Sequence, residues 1–162
     1  MFRSKHLHSI FYFFLFICFL FTAGSLSALS GVFGGIGADV NANTREGAAF
    51  GGTLSGGVDL NDQFSLGLRI SLSSNMDTVI TLEPAAFFRY YLPLKIEGFF
   101  VQAELGAAFF FEDGKNYPAF LGGLAFGWRY NIGNKWYIEP SIRGGYPFVW
   151  GVGFLTGLHF DM

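Results

Sequence analysis

Across residues 32–162, apolar residues alternate with small or polar ones, and the alternation restarts eight times. A period of two marks an extended strand with two unlike faces. Residues 64–72 (FSLGLRISL) show it plainly. Phe64, Leu66, Leu68, Ile70 and Leu72 fall on one face, and Ser65, Gly67, Arg69 and Ser71 on the other. The expected strands are 32–40, 48–60, 64–74, 79–92, 99–111, 118–131, 136–146 and 148–162. Each break carries turn-forming residues: NANTREG, NDQ, SNMDT, PLKIEG, EDGKN, NIGNK and YPF.

The two faces differ in size as well as polarity. One is built of Phe, Leu, Ile, Trp and Tyr. The other carries Asp39, Thr53, Asp59, Arg69, Glu83, Arg89, Gln102, Glu104, Arg129, Glu139, Ser141 and Arg143 among Gly and Ala. An eight-stranded barrel has an interior just wide enough for its own side chains, so the small polar face belongs inside and the bulky face outside. Only 14% of the residues are charged, against about 25% in a soluble domain, which is too few to cover a water-exposed exterior. Lipid in turn demands a closed sheet, because an open edge cannot be hydrated there. The expectation is an all-β, eight-stranded antiparallel up-and-down transmembrane β-barrel.

Aromatic residues are expected to gather in two outward girdles. Tyr90, Trp128, Tyr130 and Trp136 fall near one rim, and Tyr146, Phe148 and Trp150 near the other. Bilayer interfaces select such rings.

The first thirty residues read differently. Arg3 and Lys5 precede the apolar run of residues 9–24, and ALS at 28–30 supplies small residues for cleavage after Ser30. That is the order of a secretory signal peptide, and it divides the chain into a leader (1–30) and a barrel domain (31–162). Losing Arg3 and Lys5 takes the formal charge from −2 to −4 and removes Cys18, the only cysteine. A disulfide, a thiol site and the common zinc sites are then excluded. With no basic stripe, a nucleic-acid partner is not expected. No cofactor is expected either.

On this pattern the chain resembles the small bacterial outer-membrane β-barrel proteins of the OmpA/OmpX type, including the opacity-like members. The closing segment FLTGLHFDM resembles their terminal assembly signal, with Gly157, Phe160 and Met162 at its glycine and hydrophobic positions. The resemblance implies outer-membrane lipid and the assembly machinery as partners, a monomer, periplasmic termini and outward loops. Its enzymatic members, lipid A deacylases and palmitoyltransferases, place a histidine near the outer rim. Here the only histidine outside the leader is His159, at the other end. No catalytic residue is therefore assigned.

The interior ions are the candidate site: Arg69, Glu83, Arg89, Glu104, Arg129, Glu139 and Arg143. Pairing across the turns sets Arg69 beside Glu83, Arg89 beside Gln102 and diagonal to Glu104, and Arg129 diagonal to Glu139. Buried charges need such partners. The expected function is a non-catalytic structural or surface-exposed membrane protein with its interior closed by Arg–Glu pairs. A narrow ion or small-solute pore, or a route for small apolar molecules, is the alternative. A lipid-modifying enzyme is a distant third.

Overall fold

A computed structural model describes residues 29–43, 47–94 and 97–162; the leader expected from the sequence lies outside them, save Leu29 and Ser30. The strands are β1 (Gly31–Asn43), β2 (Gly47–Asp59), β3 (Phe64–Ser74), β4 (Val79–Tyr91), β5 (Phe99–Glu112), β6 (Lys115–Trp128), β7 (Tyr130–Ile132), β8 (Trp136–Tyr146) and β9 (Trp150–Asp161). Every neighbouring pair is antiparallel. β1 pairs with β9, and β6 pairs with β8, so the sheet closes on itself. The ninth strand is a matter of interruption. β6 and β7 are one stave broken at Arg129, and both run beside β8 in a single register (Gly127↔Ser141, Tyr130↔Ile138). The result is an eight-stranded, closed, antiparallel barrel.

The break has a local cause. The Arg129 N–H still donates to the carbonyl of Gly98 at 2.8 Å, in the register that pairs Phe99 with Trp128. Gly98 belongs to the turn before β5, however, and the ladder goes no further. Gly98 has φ +93°, and a Cβ there would collide with the Arg129 carbonyl oxygen. Only glycine permits this approach. At the opposite end, Asp113 and Gly114 both have positive φ (48° and 74°), the two-residue type I′ turn that suits strand twist. Asparagines shape two other turns. Asn61 Oδ1 accepts from the N–H groups of Gln63 and Phe64, and Asn75 Oδ1 from those of Asp77 and Val79.

The exterior is an apolar belt. Ile36, Leu54, Leu68, Leu72, Leu105, Leu124, Ile142 and Phe154 all lie exposed on it. A continuous apolar exterior of this kind matches the lipid-facing band of a membrane barrel. Of the sequence-expected girdle, Tyr130 and Trp136 are exposed at the end that holds the chain termini. Tyr146 and Trp150 are exposed at the opposite end, which holds the β1–β2, β3–β4, β5–β6 and β8–β9 hairpin turns and is termed the hairpin end. Tyr90 and Trp128 are half-buried, Tyr90 against Phe64 and Trp128 between Phe99 and Tyr130. This distribution carries a prediction. In bilayers of brominated lipid, tryptophan fluorescence will be quenched more strongly by bromines near the headgroup than by bromines at the chain centre. The opposite ranking would remove the girdle.

Phe148 departs from expectation. It is only 4% exposed and faces into the barrel mouth. The alternation of the last strand begins at Trp150, and Phe148 lies in the turn before it, where the Gly145 N–H donates to the Phe148 carbonyl at 3.1 Å. That bend carries the ring inward onto Phe110, with centroids 6.4 Å apart. Phe148 therefore belongs to an interior plug with Val79, Ala85, Ala108, Phe110 and Leu121.

The interior is also less uniformly small than expected. Phe33, Phe87, Phe100 and Tyr137 are all buried within it. Each stands opposite a glycine on the neighbouring strand: Phe33↔Gly57, Phe87↔Gly67, Phe100↔Gly127 and Tyr137↔Gly157. A Cβ on any of these glycines would collide with the facing ring. Four glycines thus give four rings their room, and Gly157 has a packing role in addition to its place in the closing segment.

Candidate functional site: the charged interior

Strand alternation points every charged candidate inward, and the barrel's curvature then joins residues from distant strands. In the hairpin half, Arg69 on β3 donates through Nη2 to Glu104 Oε2 on β5 at 2.8 Å. Arg143 on β8 donates through Nη2 to Glu83 Oε2 on β4 at 2.9 Å, and through Nε to Asn41 on β1. The crossed distances are longer: 3.7 Å for Arg69–Glu83 and 3.8 Å for Arg143–Glu104. Two arginines and two glutamates therefore form a quartet in which each ion has one close partner and one distant one. Asp39 on β1 lies 3.7 Å from Arg69 Nη1.

In the terminal half, Glu139 on β8 receives both Arg89 and Arg129. Arg89 reaches it with two nitrogens, at 2.7 and 2.9 Å, and Arg129 Nε at 2.9 Å. Charge-assisted forks of this kind are the strong ones. Aromatic faces hold the same guanidiniums from the sides. Arg89 stands 3.8 Å from the Phe100 centroid, and Arg129 is 4.2 and 4.3 Å from those of Phe33 and Tyr137. Ring quadrupoles favour cations so placed. Gln102 joins the two halves, accepting from Arg89 Nε at 2.8 Å and donating to Glu104 at 2.6 Å.

Apolar clusters flank the stack. The plug of Phe110 and Phe148 packs on the quartet, with the Arg143 guanidinium 5.2 Å from the Phe148 centroid. Phe33, Phe87, Tyr137 and Leu155 form a second cluster around the arginines of the Glu139 fork. A cavity of about 50 Å³ sits among the charged residues. Near the termini His159 Nε2 meets Asp59 Oδ2 at 2.8 Å, while Ser65 donates to the other oxygen of Asp59. The serine contacts the aspartate and not the imidazole, so this trio is not a nucleophile–base pair. His159 Nδ1 faces Asp161 at 3.4 Å.

Two expected neighbours are corrected. β3 and β4 pair two residues out of the expected register, so Arg69 stands opposite Ala85 and Glu83 opposite Ser71. Glu83 is thus a diagonal neighbour of Arg69 at 3.7 Å, and the close partner of Arg69 is Glu104 at 2.8 Å. Arg89 stands opposite Gln102 and diagonal to Glu104 as expected, and its ionic partner is Glu139, across the barrel. The register puts Arg129 directly opposite Glu139, where a diagonal was expected. The four aromatics escaped the sequence reading although they share the inward parity of the ions; the facing glycines were the signal that admits them.

A closed eight-stranded barrel with an apolar exterior and an ionic, aromatic-lined interior defines a class of small membrane β-barrel. Among solved structures it is similar to the N-terminal β-barrel domain of Pseudomonas aeruginosa OprF, with 18% identity, TM-score 0.56, and 81% of this chain and 97% of that one covered. It is also similar to Neisserial surface protein A (12%, TM-score 0.58, 82% and 96% covered) and to the outer membrane protein OprG of Pseudomonas aeruginosa (10%, TM-score 0.59, 82% and 97% covered). No family model and no curated protein matches. At these identities the likeness speaks for the fold.

Proposed function

We propose that the chain is a non-catalytic, monomeric outer-membrane barrel whose interior is locked shut and whose hairpins form its surface-exposed part. The resemblance further suggests that the assembly machinery inserts it, with Phe160 and Met162 in the recognised segment and the termini in the periplasm. The observation that carries the closed reading is the filling of the interior by ion pairs and two apolar clusters. Opening a path would require the ions to part and the plug and the aromatic cluster to move as well. Planar-bilayer recording on refolded protein tests it, and no steady single-channel current is expected. A reproducible conductance altered by Glu83→Gln or Arg143→Gln would overturn it. Comparing the acyl composition of membrane lipids with and without the protein tests the absence of lipid-modifying activity.

A second reading, the narrow ion pore, draws support from the quartet. Exchange of close and distant partners needs movements of about an ångström, as the 2.8 and 2.9 Å contacts face 3.7 and 3.8 Å alternatives. The same recordings decide between the two.

A further inference from the structure

We infer that the outer wall at the seam between β6 and β8 seats one acyl chain of a membrane lipid, in a groove centred on Gly144. The inference rests on the membrane reading and adds a particular binding place to it.

The seam is short. β6 pairs with β8 only over Gly122–Gly127 against Ser141–Tyr146. The chain leaves β8 at Tyr146 for the turn before β9, whereas β6 runs on to Lys115. Among the described residues, the segment from Lys115 to Leu121 therefore pairs with β5 alone, and its other edge is open. Pro118 suits such an edge, since it has no N–H to offer a neighbouring strand. An open edge cannot lie in hydrocarbon. The polar boundary of the bilayer thus falls at the foot of this edge, level with the exposed rings of Tyr146 and Trp150.

Just below that boundary the outer face lacks a side chain. Leu124 stands opposite Gly144, and the register that pairs Arg143 with Gly151 carries Gly144 next to Trp150. One row further down, Phe126, Ile142 and Val152 stand side by side. A Cβ on Gly144 would have only the Val149 carbonyl oxygen near it, at 3.3 Å, and would otherwise project into open space. The result is a groove of about 520 Å³ whose lining includes Leu124, Phe126, Ile142, Val149, Trp150 and Val152. That volume lies within the ~300–1,000 Å³ of ligand clefts.

A lipid chain suits this groove on three grounds. The side chains that line it are apolar except for Arg143, whose guanidinium is committed inward to Glu83 and Asn41. Its upper end opens beside the Trp150 indole and the free edge of β6, where a headgroup finds donors and acceptors. It also belongs to the belt that already faces lipid. A chain lying in a groove touches protein on several sides, and dispersion attraction grows with the number of contacts. A second barrel fits less well. Leu124 and Trp150, 61% and 53% exposed, flank Gly144 and admit a chain rather than a wall.

The test refolds the full chain into vesicles of phosphatidylethanolamine and phosphatidylglycerol, extracts it in detergent and weighs it by native mass spectrometry. The folded barrel is expected to keep one lipid after washing that strips the rest. Gly144→Leu is expected to weaken that retention about tenfold, equivalent to about 1.4 kcal/mol, and Gly52→Leu to leave it unchanged. Gly52 is an exposed glycine on β2, outside the groove, and the nearest atom to a Cβ there is a carbonyl oxygen at 3.8 Å. A barrel that keeps no lipid, equal retention in Gly144→Leu, equal loss in Gly52→Leu, or a dimer in place of the lipid-bound monomer would overturn the proposal. Should Gly144→Leu fail to fold, Trp150 decides as the sole tryptophan left after Trp128→Phe and Trp136→Phe. Refolded with brominated lipid and moved into unbrominated detergent, it is expected to stay quenched, and full recovery rejects the site. Failure of the membrane reading looks different: the protein would not enter vesicles, and brominated lipid would quench none of its tryptophans.

Discussion

Glu139→Ala is expected to be among the most damaging single substitutions in the barrel, lowering stability by about 3–5 kcal/mol, the range for removing one partner of a buried ion pair. Among the described residues Glu139 is the sole carboxylate that accepts from Arg89 and Arg129, and both guanidiniums are buried. Truncation would strand two charges against aromatic rings. Glu139→Gln keeps one carbonyl acceptor and is expected to lose less. The most informative comparison is Glu139→Met combined with Arg89→Met and Arg129→Leu, since exchanging a whole buried ion cluster for apolar residues is often neutral. Urea unfolding of bilayer-reconstituted protein, scored by the mobility difference between unboiled and boiled samples, provides the readout. A loss below about 1 kcal/mol for Glu139→Ala would mean that water reaches the fork. The closed interior would then have to be given up in favour of the pore.

The expectation that Glu139 sits inside came from strand parity alone, and parity explains what could be read in advance. Once residues 136–146 are a strand with Trp136 outward, Glu139 and Arg143 must point inward, and the same holds for Arg69, Glu83 and Arg89. Partnership is a different kind of fact. Between adjacent strands it depends on the turn: Asn75 folds the β3–β4 turn so that Ser74 pairs with Ile80, and the shift moves Glu83 from opposite Arg69 to a diagonal place 3.7 Å away. Across the barrel it depends on the stagger of eight strands, so the meeting of Arg89 with Glu139, fifty positions apart, had no local signal. Phe148 shows the remaining limit. Parity carries no authority over a residue outside the ladder, and the turn before β9 reverses the direction that extrapolation assigns.

Gly127→Ala tests the rule that pairs rings with glycines, and it isolates sterics because Gly127 is not among the positive-φ glycines. The new Cβ would run into Cζ of Phe100 and lie 2.9 Å from its Cε1. The ring has little room to retreat, since the Arg89 guanidinium is 3.8 Å from its centroid and Tyr91 packs edge-on at 6.0 Å. Overpacking of this kind costs about 1–3 kcal/mol, and moving the ring also uncovers Arg89, so the upper end of that range is expected. In a Phe100→Leu background the same substitution should cost less than half as much, because residues in direct contact are not additive. The backbone supplies the competing explanation: the new Cβ would also lie 2.9 Å from the Pro140 carbonyl oxygen. An undiminished penalty in the leucine background would assign the glycine to that strand contact. A diminished one would establish that the interior is sized ring by ring, and that Gly127 is fixed by Phe100 through a contact that also holds Arg89 on Glu139.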